Sequence, residues 1–156
     1  MAEPASWELL AFLKSRVETI RTSAGYRTDL GAGAIVLDDS EEPADAGTPL
    51  TVIEASAADS FSGGSTHLNS DVDITIEFSV PRGEATQNPK LQVHRARSDL
   101  VRALLVPAGQ VPRFIRRLEV TGATFGGFVD ENSGVSFSVA QVTARAGLTE
   151  LHSPET

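Results

Sequence analysis

Ten consecutive residues, Asp71–Val80, alternate strictly between polar and apolar side chains. Successive side chains of a β-strand point to opposite faces of the sheet, so this period of two places every apolar side chain of the segment on one face. The polar side chains, among them Asp71, Asp73 and Glu77, lie on the other face. The segment therefore predicts a strand whose sheet packs one face and exposes the other, which is typical of antiparallel sheets.

Two amphipathic segments predict helices on either side of this strand. The first spans about Pro4–Thr22, where apolar residues recur at helical spacing on one face. The second spans about Pro89–Val106, with Asn88 as a candidate N-cap and the proline in the first turn.

Shorter apolar or alternating segments predict the other strands: Ala34–Leu37, Leu50–Glu54, Phe114–Thr121, Thr124–Val129 and Val135–Arg145. The polar stretch 55–70 predicts a long loop, of the kind that is usually functional or mobile, and residues 150–156 predict a loose tail. A length of 156 residues suits one domain, spanning 1–156. The order of elements predicts an α+β fold, a mainly antiparallel or mixed sheet with two helices packed on one face.

Charge is distributed unevenly along the chain, whose formal net charge is −8 at pH 7. Residues 28–81 contain eleven acidic residues and no Lys or Arg, whereas residues 82–145 contain nine basic residues and five acidic ones. The acidic total disfavours a protein that wraps nucleic acid, because binding to phosphates depends on Lys and Arg.

The basic residues of the later half have three interpretations: a solvated face, a nucleic-acid contact, or a contact with the acidic middle of another copy. No aromatic residues alternate with them to stack on bases, which weakens the second. A head-to-tail contact joins two different patches and closes into a ring when the rotation allows. The third interpretation gives a candidate subunit interface: Asp38, Asp39, Glu41 and Glu42 against Arg113, Arg116 and Arg117.

No pattern in the chain predicts catalysis, a cofactor or a metal site. The chain has no cysteine, and its Gly-rich segment Leu30–Ile35 lacks the third glycine and the helix start of a dinucleotide loop. The three histidines, His67, His94 and His152, have no serine-nucleophile motif to accompany them. We therefore expect a protein that is not an enzyme.

Three segments resemble the tail terminator, or tail completion, proteins of long-tailed phages with flexible tails. The first helix reads W-E-L-L-x-F-L-K-x-R-V-E-T-I over Trp7–Ile20, and G-Y-R-T-D-L-G follows at Gly25–Gly31. The second helix carries R-A-R-S-D-L-V-R-A-L at Arg95–Leu104. A long alternating strand between the helices and a closing hairpin are also similar to that family, so the resemblance covers nearly the whole chain.

The resemblance implies a subunit of a homo-oligomeric, hexameric ring in the virion, assembled in the host cytoplasm without a membrane. Such a ring binds the last ring of the tail tube protein, stops tube growth and offers a surface to the head–tail connector or stopper protein, while DNA passes through without specific binding. Asp71, Asp73 and Glu77 would then face the lumen or a neighbour. The alternatives are a head-side connector, stopper or other minor neck subunit, and a small ligand-binding domain or enzyme.

Overall fold

A computed structural model describes residues 3–37, 49–62, 67–82, 88–129 and 134–151. In chain order the helices and strands are α1 (Ala5–Glu18), β1 (Ala34–Leu37), β2 (Leu50–Ser62), β3 (His67–Pro81), α2 (Pro89–Leu104), β4 (Ile115–Val129) and β5 (Ser136–Leu151). Short 3-10 turns lie at Thr22–Ala24, Leu30–Ala32 and Ala108–Gln110.

The five strands form one mixed sheet in the order β1-β2-β3-β5-β4. Only the pairing of β1 with β2 is parallel, and the other three pairings are antiparallel. The α+β prediction is therefore confirmed. The strongly alternating segment belongs to β3, which occupies the centre of the sheet between β2 and β5.

One face of the sheet carries the hydrophobic core. The apolar side chains of β3 are all buried there: Val72, Ile74, Ile76, Phe78 and Val80. Alanines and Val142 of β5 face the same side in register, and their small volume allows the helices to approach the sheet closely. Buried residues of α1, such as Leu13, and of α2, such as Leu100, join this single cluster, so both helices pack on one face as predicted.

The predicted loop at 55–70 is wrong. Residues 55–62 continue β2, residues 67–70 begin β3, and Ser56 pairs with Asp73 in an antiparallel ladder that runs to the end of β2. Residues 63–66 lie outside the described part of the chain. The segment is rich in Ala, Ser and Asp, which have low strand propensity. It forms a strand because its backbone N–H and C=O groups pair with those of β3, and this pairing does not depend on the side chains.

The later strands are also longer than predicted. The two pieces proposed between Phe114 and Val129 form the single strand β4, which keeps its pairing with β5 through two register shifts, at Ile115/Arg117 and Val120/Gly122. Each shift inserts a residue and interrupts the period of two, which explains why the sequence suggests a break. Residues 150 and 151 belong to β5, so the predicted loose tail starts too early, and residues 152–156 lie outside the described chain.

Candidate assembly surface

The face of the sheet opposite the helices, here called the outer face, divides into a charged half and an apolar half. In β3 the outer-face residues are the polar members of the alternation, including Asp71, Asp73 and Glu77. Their partners in β5 are Gly147, Arg145 and Gln141. The prediction that the polar side of the alternation faces outward is confirmed.

Cross-strand ion pairs neutralise much of the charged half within the subunit. Arg145 Nε donates to Asp73 Oδ1 over 2.9 Å, and Arg117 Nη2 lies 3.6 Å from Asp71 Oδ1. Arg117 Nε also lies 3.7 Å from Glu119 Oε1. The hydrogen bond to Asp73 raises the pKa of Arg145 above its ordinary value, with the charge of that carboxylate adding to the effect. All of these side chains are at least half exposed, so each pair contributes at most about 1 kcal/mol to stability.

The predicted interface arginines occupy the start of β4. The register shift at Arg116 brings its guanidinium to the outer face beside Arg117. Arg116 Nη2 and Arg117 Cβ lie 3.7 and 3.8 Å from the position that a Cβ on Gly147 would occupy. Arg113 is exposed in the turn before the strand. Arg117 therefore meets Asp71 of its own chain, whereas Asp38, Asp39, Glu41 and Glu42 lie outside the described residues.

The apolar half of the outer face lies at the opposite end of β4. Phe128 stacks on Phe137 of β5 with ring centroids 5.0 Å apart and an interplanar angle of 18°. The next residue, Val129, is 59% exposed, but it pairs with Ser136 and therefore points to the helix side of the sheet. On the outer face, Phe128 is 46% exposed beside Phe137. Half-buried Glu77 lines a shallow depression of about 230 Å³ beside them.

Among the strands that the structure describes, β4 lies at one edge of the sheet, with β5 as its neighbour. Its second half, Thr121–Val129, contains nine residues without a charge or a proline. Natural edge strands usually carry charged side chains, prolines or other features that prevent pairing with another chain. An edge this long with exposed Phe125, Phe128 and Val129 is suited to pairing with a further strand.

The sequence did not reveal this edge, because Thr124–Val129 was predicted as a short, separate strand. The missing charges were visible in the sequence, but the position of the strand at the rim of the sheet was not. On the opposite side of the sheet, β1 pairs only with Leu50–Ile53 of β2. Beyond it, Ser56–Ser62 has β3 on one side and no further described strand on the other.

Two of the three segments that carry the family resemblance, Gly25–Gly31 and Arg95–Leu104, contact each other in the structure. Asp99 of α2 is only 2% exposed and receives hydrogen bonds from the backbone of the Gly25–Gly31 segment. Thr28 donates through its N–H (2.8 Å) and its hydroxyl (2.7 Å) to Oδ2, and the Arg27 N–H donates to both oxygens at 3.1 and 3.2 Å. We call this junction the Asp99 clamp.

Other residues of the same segment also have structural roles. Gly25 has φ +89°, a left-handed conformation that glycine adopts without strain, and its carbonyl accepts a 2.8 Å bond from Arg102 Nη1. That guanidinium also lies 4.4 Å from the centre of the Tyr26 ring. A Cβ on Gly31 would lie 2.5 Å from the Val17 carbonyl oxygen, so the chain passes α1 too closely for a side chain. The segment holds α1, α2 and β1 together.

The histidines and acidic residues that the structure describes do not form a metal site. Among them, no three His, Asp or Glu side chains converge closely enough to hold a metal ion. His94 contacts Phe125, whereas the side chain of His67 and all of His152 lie outside what the structure describes. A cavity of about 480 Å³ is lined by Leu30 and Phe78 with Arg27 and Arg95.

Comparison with models of known protein families and with characterised proteins finds no match for this chain. Neither described helix has the length and apolar content that crossing a membrane requires. The functional argument therefore depends on the fold, on the exposed edge of β4 and on the resemblance noted in the sequence.

Proposed function

We propose that this chain is a structural virion protein that forms a ring at the head-proximal end of a phage tail tube. The ring ends tube polymerisation and provides the surface on which head and tail join. The observation that carries the proposal is the uncharged edge of β4, which a second copy covers by pairing its own sheet edge. The resemblance of the helices and of Gly25–Gly31 to tail terminator proteins supplies the place in the virion.

A head-to-tail contact supports a ring because the two edges of the sheet are different surfaces. The β4 edge of one copy would meet the opposite edge, formed by β1 and Ser56–Ser62, of the next copy. Such a heterologous contact repeats around an axis and closes when the rotation per subunit divides a full turn. Six copies is the number that the resemblance implies.

The outer face suits a surface that DNA passes without binding. Asp71 and Asp73 compensate the arginines beside them, and the whole chain carries a net charge of −8. A surface without excess positive charge gives phosphates little to bind. Partners of the ring are then the tail tube protein on one side and the head–tail connector or stopper on the other.

The alternative within virion assembly is a head-side connector, stopper or other minor neck subunit. Such a subunit would use the same edge contact in a different place. Adding the purified chain to polymerising tail tube protein distinguishes these functions, because a terminator shortens the tubes and caps one end. Tube lengths measured by electron microscopy that do not change with the amount of added chain would contradict the terminator function.

The edge contact is tested with the double variant Phe128→Lys/Val129→Lys. Wild-type protein is expected at six times the chain mass of 16.5 kDa by light scattering, and the double variant is expected at the mass of one chain. Two buried ammonium groups without partners oppose strand pairing, because charge on an edge is what prevents it.

The matched control is Leu91→Lys on α2, which places a lysine at another exposed apolar residue, 40% exposed, away from the β4 edge. This variant is expected to form rings as the wild type does. Rings that persist in the β4 variant but disappear in the Leu91 variant would show that the contact lies on the helices.

A further inference from the structure

A cavity of about 410 Å³ lies on the helix side of the sheet, between the start of α2 and the part of β4 and β5 near their connection. Two side chains that carry full positive charge line it, Arg82 and Lys90, together with His94. No acidic side chain is among its described lining residues. In a chain of net charge −8, this is a local concentration of positive charge.

Arg82 is held in a fixed orientation at this cavity. Its Nε donates to Ser138 Oγ over 2.8 Å, and Ser138 is itself only 2% exposed. Its guanidinium lies so close to Gly127 that a Cβ there would collide with Nη2. Since an arginine has five N–H donors and one is used, the remaining donors are available to an anion. No described carboxylate forms an ion pair with Arg82 or Lys90.

The aromatic ring of Phe125 lines the cavity beside Arg82 and Lys90. The Phe125 ring is 55% exposed, yet its position is fixed by His94, with ring centroids 4.2 Å apart, and by Arg97, whose guanidinium lies 6.0 Å from the ring centre. Buried Val93 adds apolar surface to the lining. The cavity thus combines oriented cationic donors with apolar surface, and its volume is in the range of small-molecule sites.

We infer that this cavity binds a small organic oxyanion, a phosphate or carboxylate group carried on an aromatic or aliphatic body. Arg82 and Lys90 contact the oxyanion, and Phe125 and Val93 contact the body. Charge-assisted hydrogen bonds from a preoriented guanidinium are among the stronger polar contacts in proteins, and arginine matches the geometry of both oxyanions. Phe125 belongs to the β4 edge as well, whereas Arg82, Lys90 and Val93 lie outside that strand.

The test is a calorimetric and NMR titration of the full chain with phenyl phosphate, following the amide signals of Gly127 and Ser138. Phenyl phosphate is expected to bind about tenfold or more tightly than either inorganic phosphate or benzyl alcohol, each of which supplies half of the contacts. Arg82→Gln and Lys90→Gln should each weaken binding about tenfold, the loss expected for one charge-assisted contact.

Three further variants distinguish a specific binding site from a general effect of positive charge. Arg113→Gln changes the net charge equally but lies before β4, about 30 Å along the strand from Phe125, and should bind as the wild type does. Gly127→Ala keeps the charge but displaces Arg82, and should weaken binding, whereas Gly109→Ala, with open space around it, should not. Equal affinity in Arg82→Gln and Arg113→Gln, equal affinity for inorganic and phenyl phosphate, or no binding by the wild type would each overturn the inference.

Discussion

Replacing Asp99 with alanine tests whether the Asp99 clamp holds the fold together. The carboxylate is 2% exposed and accepts hydrogen bonds from three donors, the N–H groups of Arg27 and Thr28 and the Thr28 hydroxyl. Alanine removes every acceptor at once. The hydroxyl can rotate toward another partner, but the two backbone N–H groups cannot.

The expected loss of stability follows from these two groups. A buried donor that loses its partner costs about 1–3 kcal/mol, and hydrogen bonds to a charged group contribute about 1.5–3 kcal/mol. Removing a buried charge returns part of its desolvation cost, so the losses do not simply add. We expect Asp99→Ala to lower the free energy of unfolding by about 3–5 kcal/mol, which corresponds to roughly 10 °C in melting temperature for a chain of this length.

Asparagine at the same position gives an intermediate result. Its amide oxygen can occupy the place of Oδ2 and accept both Thr28 bonds, but the charge is lost and the amide nitrogen faces the Arg27 N–H. We expect Asp99→Asn to cost about 1–2 kcal/mol, between wild type and alanine.

The assay is urea unfolding of the isolated subunit, with hydrogen exchange read at the amides of Arg27 and Thr28. Asp71→Ala is the control, because its carboxylate is 64% exposed and lies 3.6 Å from Arg117, so its loss should cost at most about 1 kcal/mol. A loss below about 1 kcal/mol in Asp99→Ala, or unchanged protection of the two amides, would refute the reasoning.

Two further predictions concern the same segment. In Gly31→Ala the new Cβ meets the carbonyl oxygens of Val17 at 2.5 Å and Glu18 at 2.6 Å, so we expect a loss of about 2 kcal/mol or more in the free energy of unfolding in urea. A loss below about 0.5 kcal/mol, the scatter of surface substitutions, would contradict the close approach. The N–H and hydroxyl of Thr22 lower the pKa of Asp29, so this carboxylate stabilises the fold above its unfolded pKa, and the contribution disappears as pH falls through the folded value. Melting curves of Asp29→Asn should therefore depend less on pH in the acid range, and identical pH profiles would contradict this.

The sequence predicted those elements in which apolar and polar side chains alternate regularly, because such alternation follows from the burial of one face. The segment Asp71–Val80 is buried on one face along its whole length, so its period of two appears without interruption. The start of β4 was harder to predict from alternation, because each of its two register shifts changes the face to which the following side chains point. In the second half of β2, small polar residues form a strand because β3 pairs with it across a hairpin. Backbone pairing of this kind leaves no alternation of apolar and polar side chains in the sequence.

The site was predictable only in part, for a related reason. Alternation placed Asp71, Asp73 and Glu77 on one face, as the structure has them. It could not show that Arg117 and Arg145 lie across from two of these acids, since register is set by the whole sheet. The uncharged stretch of β4 becomes informative only once the strand is known to form the edge.

The contacts of the Asp99 clamp indicate that the residues of the family resemblance support the fold more directly than they support the function. The motif residues of Gly25–Gly31 and of α2 contact each other, and each contact described here stabilises the subunit rather than reaching outward. A motif of this kind specifies a fold, and a fold can serve several functions. The ring proposal therefore depends most on β4, where nine uncharged residues lie along an edge that sequences normally protect. An edge of this kind that stays uncovered favours aggregation, so we propose a strand from another copy as the partner that covers it.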